Sequence, residues 1–99
     1  MDRIIQKYMK HVEGKNKGHV LVYSLSKCAW CNKVKELLST IGAAYDYIDT
    51  DQAQKNDRSR LIESMEKFNP SCIFPTIVIN EQTCIIGNDE WKIKKALEN

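Results

Sequence analysis

The chain has 99 residues, 42% of them hydrophobic and 28% charged, which is the composition of a globular domain and excludes a disordered segment. Its net charge of +2 at pH 7 excludes the strongly basic surface typical of a nucleic-acid-binding protein. Apolar runs of only a few residues are too short to cross a membrane, so neither nucleic acid nor a membrane is an expected partner.

The length predicts one domain, residues 1–99, with a single core, and we expect a monomer. Residues 1–10 lack the basic start, apolar middle and small-residue cleavage site of a secretory signal, which favours a cytoplasmic location. In that reducing compartment a C-x-x-C pair is redox-active or binds a metal, and a structural disulfide is rare. The cysteines are Cys28, Cys31, Cys72 and Cys84.

The first half of the chain predicts two helices and a strand. Apolar residues at helical spacing from Ile5 to Val12 predict an N-terminal helix, which Gly14 can end. Residues 19–25 are rich in Val, Leu and Tyr, which favours a buried strand. The second helix is predicted by an apolar stripe that Gly42 closes: Val34, Leu37, Leu38 and Ile41.

The middle of the chain continues the alternation of strands and helices. Residues 45–48 predict a second strand, and residues 49–51 form an acidic turn. Apolar residues at helical spacing between Leu61 and Phe68 predict a third helix, which stops before Pro70.

The C-terminal third predicts a hairpin and a last helix. Residues 73–79 are a β-branched run that predicts a strand, and residues 80–82 supply a turn. Residues 84–86 form a short strand that pairs with residues 73–79 in a hairpin. The segment 87–89 then opens the helix. Strands joined through helices run parallel, so the element order predicts an α/β fold: a four-stranded mixed sheet with helices on both faces.

The segment Cys28-Ala29-Trp30-Cys31 lies where the first strand meets the second helix. Unpaired backbone N–H groups and the helix dipole favour a thiolate at a helix start, and Lys27 and Lys33 could add to this field. We expect Cys28 to be the exposed attacking thiol and Cys31, one turn later, the more buried resolving thiol.

Two alternatives compete with a redox pair. One is a static disulfide or two inert core thiols, but neither explains a position at a strand-to-helix turn. The other is a structural zinc site, which needs four ligands, usually in paired motifs. Only one such pair exists, and His11 and His19 are poorly spaced for ligation, so no metal site is predicted.

Pro75 stands at the entrance of the predicted central strand, where a proline costs a ladder hydrogen bond. A cis Phe74–Pro75 bond would account for this position, because it would turn the Phe74 backbone outward to pair with an extended substrate. A trans proline that merely starts the strand is the alternative. With the C-x-x-C pair upstream, we expect the cis form.

Three segments in this order and spacing are specific together: Cys28-Ala29-Trp30-Cys31, Phe74-Pro75-Thr76 and Gly87-Asn88-Asp89. Over nearly its whole length the chain resembles a glutaredoxin-like member of the thioredoxin superfamily, and residues 69–76 resemble the proteins of archaea and anaerobic bacteria. The resemblance implies a thioredoxin fold, here with an extra N-terminal helix. It also implies a thiol–disulfide oxidoreductase with Cys28 as nucleophile, Cys31 as resolving thiol and Pro75 as the neighbouring cis-proline.

The resemblance further implies substrate-binding residues and partners. Asn88 and Asp89, at a helix start, would hold the γ-glutamyl end of glutathione, in keeping with anion binding by helix N-termini. Phe74 and Pro75 would contact the substrate beside the cysteines. From the residues alone, Lys27 could bind the substrate or be an ordinary surface charge, and Trp30, which we expect to be partly exposed, could stack on a partner. Disulfide-containing proteins are the expected partners, with glutathione or a reductase as electron donor and no tightly bound cofactor.

Three positions depart from the family pattern: Ala29 replaces a proline, Asn88 replaces a glycine, and Leu25 replaces a basic residue three positions before the nucleophile. Relatives without that proline sometimes bridge a [2Fe–2S] cluster with glutathione, so a cluster-binding glutaredoxin is the alternative function. Cys72 is either a third redox thiol or, as we favour, a small core residue. We expect Cys84 to serve packing as well.

Overall fold

The computed structural model describes residues 3–97. The described elements, in chain order, are α1 (Arg3–Tyr8), β1 (Lys10–Val12), β2 (Val20–Ser24), α2 (Ala29–Ile41), β3 (Tyr45–Asp49), a 3-10 turn (Thr50–Gln52), α3 (Lys55–Glu66), β4 (Thr76–Ile79), β5 (Thr83–Ile86) and α4 (Glu90–Leu97).

The sheet has five strands in the order β1-β3-β2-β4-β5. The β2–β3 pair is parallel, and the other pairs are antiparallel, including the β4–β5 hairpin that the sequence predicts. The α/β class and the mixed sheet are therefore confirmed. The predicted count of four strands is wrong, because the N-terminal segment contributes a fifth.

The N-terminal helix ends at Tyr8, not near Gly14, and Lys10–Val12 pairs antiparallel with β3 as strand β1. Ile4 and Ile5 pack on one face of the sheet, whereas Val12 packs against the core on the other. One continuous helix could not reach both faces. Tertiary pairing with the free edge of β3 thus overrides the local helical spacing.

Helices cover both faces of the sheet, as predicted. On one face α2 and α4 bury Val34, Leu38, Ile93 and Leu97 against Val20, Val22, Ile77, Ile79 and Ile85. On the other face α1 and α3 bury Ile4, Ile5, Leu61 and Met65 against Leu21, Tyr23, Ile48 and Val78. Within residues 3–97, no helix has the length and apolar character needed to cross a membrane.

Two boundaries show the local causes of the fold. Helix α2 ends where Gly42 takes a left-handed conformation, φ 83°, and its N–H bonds to the carbonyl of Leu38 at 3.1 Å. Strand β4 begins at Thr76 and is shorter than the predicted run, because Pro75 has no N–H for the ladder.

The strand register brings three loops to one edge of the sheet. Ser24 lies opposite Asp49, Tyr23 opposite Thr76, and Thr76 opposite Ile86. The loop after β2, the entrance to β4 and the exit from β5 therefore meet at the same edge. Cys28, Phe74–Pro75 and the segment 87–89 all belong to these loops, and Cys31 lies in the first turn of α2.

A cluster of charged side chains holds β1 against β3 at the end of the sheet opposite these loops. The buried carboxylate of Asp46 on β3 lies 2.7 Å from Nδ1 of His11 and 3.3 Å from Nε2 of His19. Nε2 of His11 also lies 3.3 Å from a carboxylate oxygen of Glu13. The hydrogen bond to Asp46, helped by the negative charges of Glu13 and Asp46, raises the pKa of His11 above its usual value.

This cluster predicts a pH dependence of stability. Because the pKa of His11 is higher in the folded protein, the folded state binds the proton more tightly than the unfolded chain does. The stabilisation is complete below about pH 6.5, histidine's ordinary pKa, and is lost as the pH rises through the folded value. We expect Tm to fall with rising pH across this range more steeply in the wild type than in His11→Gln. Lys10→Gln, on the same strand, should keep the wild-type slope. Identical slopes for wild type and His11→Gln would contradict the prediction.

Candidate active site

Cys28 is the N-cap residue of α2. Its backbone is extended, with φ −112° and ψ 117°, and its Sγ accepts a hydrogen bond from the backbone N–H of Cys31 at 3.2 Å. The sulfur thus occupies the place that a capping oxygen takes in other helices, facing the unpaired N–H groups. A negative charge on this sulfur meets both a hydrogen-bond donor and the positive end of the helix dipole.

Cys31 lies one turn further on and is 0% exposed. Burial is the main cause that raises the pKa of Cys31 to about 12, and the hydrogen bond to the side chain of Cys28 raises it further. The Leu25 backbone and the positive charge of Lys35 act in the opposite direction. Both cysteines are free thiols, and Cys28 is the more accessible of the two. The predicted difference in burial is therefore confirmed.

The Phe74–Pro75 peptide bond is cis, as the sequence predicts. Pro75 is buried, and its carbonyl accepts a hydrogen bond from the N–H of Gly87 at 2.8 Å. Phe74 is half-buried and packs against the core on the α1–α3 face. The hydrogen bond between Pro75 and Gly87 joins the Phe74–Pro75 segment directly to the loop that precedes α4.

Asn69 holds the loop that leads to Pro75. Asn69 is only 1% exposed, and its side-chain Nδ2 donates a hydrogen bond to Oγ1 of Thr76 at 2.9 Å. Its Oδ1 accepts from the N–H of Ser71 at 3.1 Å, and Oγ1 of Thr76 donates to the Ile73 carbonyl at 2.6 Å. No sequence signal indicated this network, because its two buried polar residues are seven positions apart and follow no motif.

The loop before Cys28 is held by the acidic turn that follows β3. One carboxylate oxygen of Asp51 accepts from the N–H of Ser26 at 2.8 Å, and the other accepts from its hydroxyl at 2.5 Å. Nε2 of Gln52 donates to the same hydroxyl at 3.0 Å. The hydrogen bond from the Ser26 hydroxyl is the main cause that lowers the pKa of Asp51, and the bond from the Ser26 N–H lowers it further. The sequence predicts the turn but not this role.

The other predicted substrate-binding residues lie in the loop before α2, on its first turn and at the start of α4. Lys27 is exposed on the loop, and Trp30 is 59% exposed on the first turn of α2, with Nζ of Lys33 5.0 Å from its ring centroid. Asn88 and Asp89 are half-buried at the start of α4. The carboxylate of Asp89 accepts from the N–H of Lys92 at 3.2 Å, so it caps that helix.

Of the remaining cysteines, Cys72 contributes to packing, whereas Cys84 belongs to neither core cluster. Cys72 is half-buried, packs against the core on the α1–α3 face, and has its pKa raised by burial. Cys84 is half-buried on β5, and burial raises its pKa too. Among residues 3–97, no three His, Cys, Asp or Glu side chains come together in a way that could hold a metal ion.

A sequence model of the glutaredoxin family matches residues 20–84, which include Cys28, Cys31 and Pro75. The chain belongs to the glutaredoxin family. Glutaredoxins are thiol–disulfide oxidoreductases with a thioredoxin fold, so this activity and this fold are those of the family. The family does not favour the alternative of cluster binding.

Solved structures from archaea agree with this membership. The glutaredoxin from Methanosarcina mazei Go1 is 37% identical, with a TM-score of 0.85 over 93% of this chain and 89% of that one. The methanoredoxin from Methanosarcina acetivorans is 36% identical, with a TM-score of 0.83 over 87% and 90% of the two chains. A glutaredoxin from Archaeoglobus fulgidus is 28% identical, with a TM-score of 0.76 over 81% and 86%. No curated protein sequence matches significantly.

The Asn69 network predicts a stability effect. Asn69→Ala removes the donor to Thr76 and the acceptor for Ser71, and leaves buried polar groups without these partners. We expect the free energy of unfolding to fall by about 1–3 kcal/mol. Urea denaturation followed by circular dichroism measures it. Asn56→Ala, at an exposed position on α3, is the control and should change stability by less than about 0.5 kcal/mol. Equal effects of the two substitutions would contradict a role for the network.

Proposed function

We propose that the chain is a dithiol–disulfide oxidoreductase that reduces protein or low-molecular-weight disulfides through Cys28 and Cys31. The observation that carries this proposal is the unequal placement of two thiols within one helical turn. The Cys28 sulfur caps the start of α2 and is partly accessible, whereas Cys31 is fully buried. An accessible sulfur can meet a substrate, and a buried neighbour can attack only what the first sulfur has captured.

The reaction takes place in two exchanges. The Cys28 thiolate attacks one sulfur of the target disulfide, a mixed disulfide forms, and the other target sulfur leaves as a thiolate that takes up a proton. Cys31 then loses its proton and attacks the Cys28 sulfur, which releases the second target thiol. Two electrons pass from the protein dithiol to the target, and the protein is left with a Cys28–Cys31 disulfide.

The substrate would bind along the sheet edge described above. The Phe74 backbone would pair with an extended peptide beside the cysteines, as main-chain hydrogen bonding does in other peptide-binding grooves. Trp30 offers an exposed aromatic surface, and Lys27 a positive charge. The start of α4 at Asn88 and Asp89 would bind a carboxylate through backbone N–H groups.

The proposed setting is the cytoplasm, where the protein would act as a monomer without a tightly bound cofactor. Its partners would be disulfide-containing proteins, with glutathione or a reductase returning the disulfide to the dithiol. The departures from the family pattern favour a reductase. Leu25 is apolar where many glutaredoxins carry a basic residue, and Asn88 adds a side chain where a glycine is usual.

The proposed roles predict different outcomes for the two cysteines. Cys28→Ser should abolish reduction of a peptide disulfide, because it removes the thiol that starts the exchange. Cys31→Ser should instead stop after the first exchange and accumulate a mixed disulfide at Cys28. Mass spectrometry of the intact protein after reaction with the peptide detects this adduct.

Cys84→Ser is the matched control, since it changes a cysteine on β5 and should keep wild-type activity. If Cys28→Ser traps the substrate and Cys31→Ser does not, the roles are reversed and the proposal is wrong.

Donor preference generates a further prediction. We expect a thioredoxin reductase or a ferredoxin-linked reductase to reduce the Cys28–Cys31 disulfide faster than glutathione does.

An exposed charged contact contributes up to about 1 kcal/mol, so Leu25→Lys should speed reduction by glutathione several-fold. Leu25→Met, which adds no charge, should leave the rate unchanged. Stopped-flow tryptophan fluorescence follows the reaction with each donor. Fast, saturable reduction of the wild type by millimolar glutathione would contradict the prediction.

A further inference from the structure

Lys35 lies on α2 one turn after Cys31, so the two side chains lie on the same side of the helix. Side chains on a helix lean toward its N-terminus, which carries Lys35 over the turn that contains Cys31. The Lys35 side chain is only 18% exposed. Its charge is therefore weakly screened by water, and it acts more strongly on a nearby buried group than a surface charge does.

Two residues of β3 fix the ammonium group in place. Nζ of Lys35 lies 3.0 Å from Oδ1 of Asp49 and 4.2 Å from the ring centroid of Tyr47. The same Asp49 oxygen accepts a hydrogen bond from the Ser24 hydroxyl at 2.5 Å. The carboxylate is thus anchored to the end of β2, and the Lys35 ammonium is anchored to the carboxylate.

We propose that Lys35, held by Asp49, is a positioning residue that stabilises the Cys31 thiolate during the resolving step. Burial opposes ionisation of Cys31, and its positive neighbour partly offsets that cost. Because Cys31 needs a thiolate only as the resolving group, this role rests on the proposed function. Lys35 touches neither substrate nor the bond that breaks, and it acts through Cys31 alone.

The step that Lys35 assists is the second exchange. The Cys31 thiol gives its proton to solvent, and the thiolate attacks the Cys28 sulfur of the mixed disulfide. The Cys28–target S–S bond breaks as the Cys28–Cys31 bond forms, and the target leaves as a thiolate that is protonated by solvent. The first exchange requires no charge on Cys31, so loss of Lys35 should slow the second exchange selectively.

The groups that bear on Cys31 come from three elements. Lys35 and Cys28 belong to α2 and its cap, and the Leu25 backbone follows β2. From β3, Asp49 and Tyr47 hold Lys35. Lys35 lowers the pKa of Cys31, whereas burial and the Cys28 side chain raise it. In Lys35→Met, burial and the Cys28 side chain therefore raise the pKa of Cys31 with no positive charge to offset them.

Single-turnover reaction with dithiobis(nitrobenzoate), a symmetric aromatic disulfide, tests both exchanges at once. The reduced protein, in excess and in a Cys72→Ser/Cys84→Ser background, should release one coloured nitrothiobenzoate through Cys28 and a second through Cys31. In Lys35→Met the second phase should slow by about threefold for each unit that the pKa of Cys31 rises, because the loss of thiolate is partly offset by its greater nucleophilicity, and the first phase should be unchanged. Lys35→Arg keeps the charge and should show the wild-type rate of the second phase.

A spectroscopic measurement separates charge from packing. In Cys28→Ser, the Cβ chemical shift of Cys31 reports its ionisation by NMR, and in the added presence of Lys35→Met the onset of titration should move to higher pH. A merely structural role would slow the reaction without moving this onset. If Lys35→Met alone does not fold, Lys35→Met/Asp49→Asn removes both charges, leaves no unpaired buried carboxylate, and should show the same slow second phase.

The outcomes are distinct. An unchanged second phase in Lys35→Met, or equal slowing in Lys35→Met and Lys35→Arg with an unmoved titration of Cys31, would overturn the role of Lys35. Absence of the first phase in the wild type would overturn the proposed function, and the role of Lys35 with it.

Discussion

The parallel pairing of β2 with β3 is the constraint on which the rest of the site depends. Parallel neighbours cannot be joined by a tight turn, so the chain must cross over the sheet, and α2 is that crossover. The crossover begins at the edge where β2 ends, and this fixes the N-terminus of α2 there. The Cys28 sulfur meets the open N–H groups of the helix because the helix has to start at that point.

The two cysteines differ because one turn of α2 separates a cap from a core position. Cys28 precedes the first helical residue and faces the sheet edge, whereas Cys31 shares the buried face with Val34 and Leu38. A thiolate at the first position keeps contact with water, whereas burial opposes ionisation at the second. The same geometry that hides Cys31 from substrates also makes its ionisation costly. A dithiol mechanism in this fold therefore benefits from a compensating positive charge near the buried sulfur.

Features with a local chemical cause were predictable from the sequence, and features made by distant pairs were not. The start of α2 at the C-x-x-C pair and its end at Gly42 follow from the backbone preferences of those residues, and both agree with the structure. The strand β1 was missed because His11 and Val12 are placed by contacts with β3, more than thirty positions away. The hydrogen bond between Asn69 and Thr76, seven positions apart, gave no signal because it belongs to no local sequence motif.

The turn that follows β3 shows how a short polar segment can serve several parts of the site together. Asp49 binds the Ser24 hydroxyl and Lys35, the Thr50 hydroxyl donates to the Ser24 carbonyl at 3.2 Å, and Asp51 holds Ser26. Each of three successive residues thus ties a different atom of the loop or helix around the cysteines. In the sequence these residues look like an ordinary acidic turn, because the polar residues that form a turn are also those that hydrogen-bond a neighbouring loop. The difference lies in the parallel register, which places the turn directly beside the end of β2. A site of this kind is rigid on the side that carries the thiols, so the capture of a disulfide costs little ordering of the protein itself.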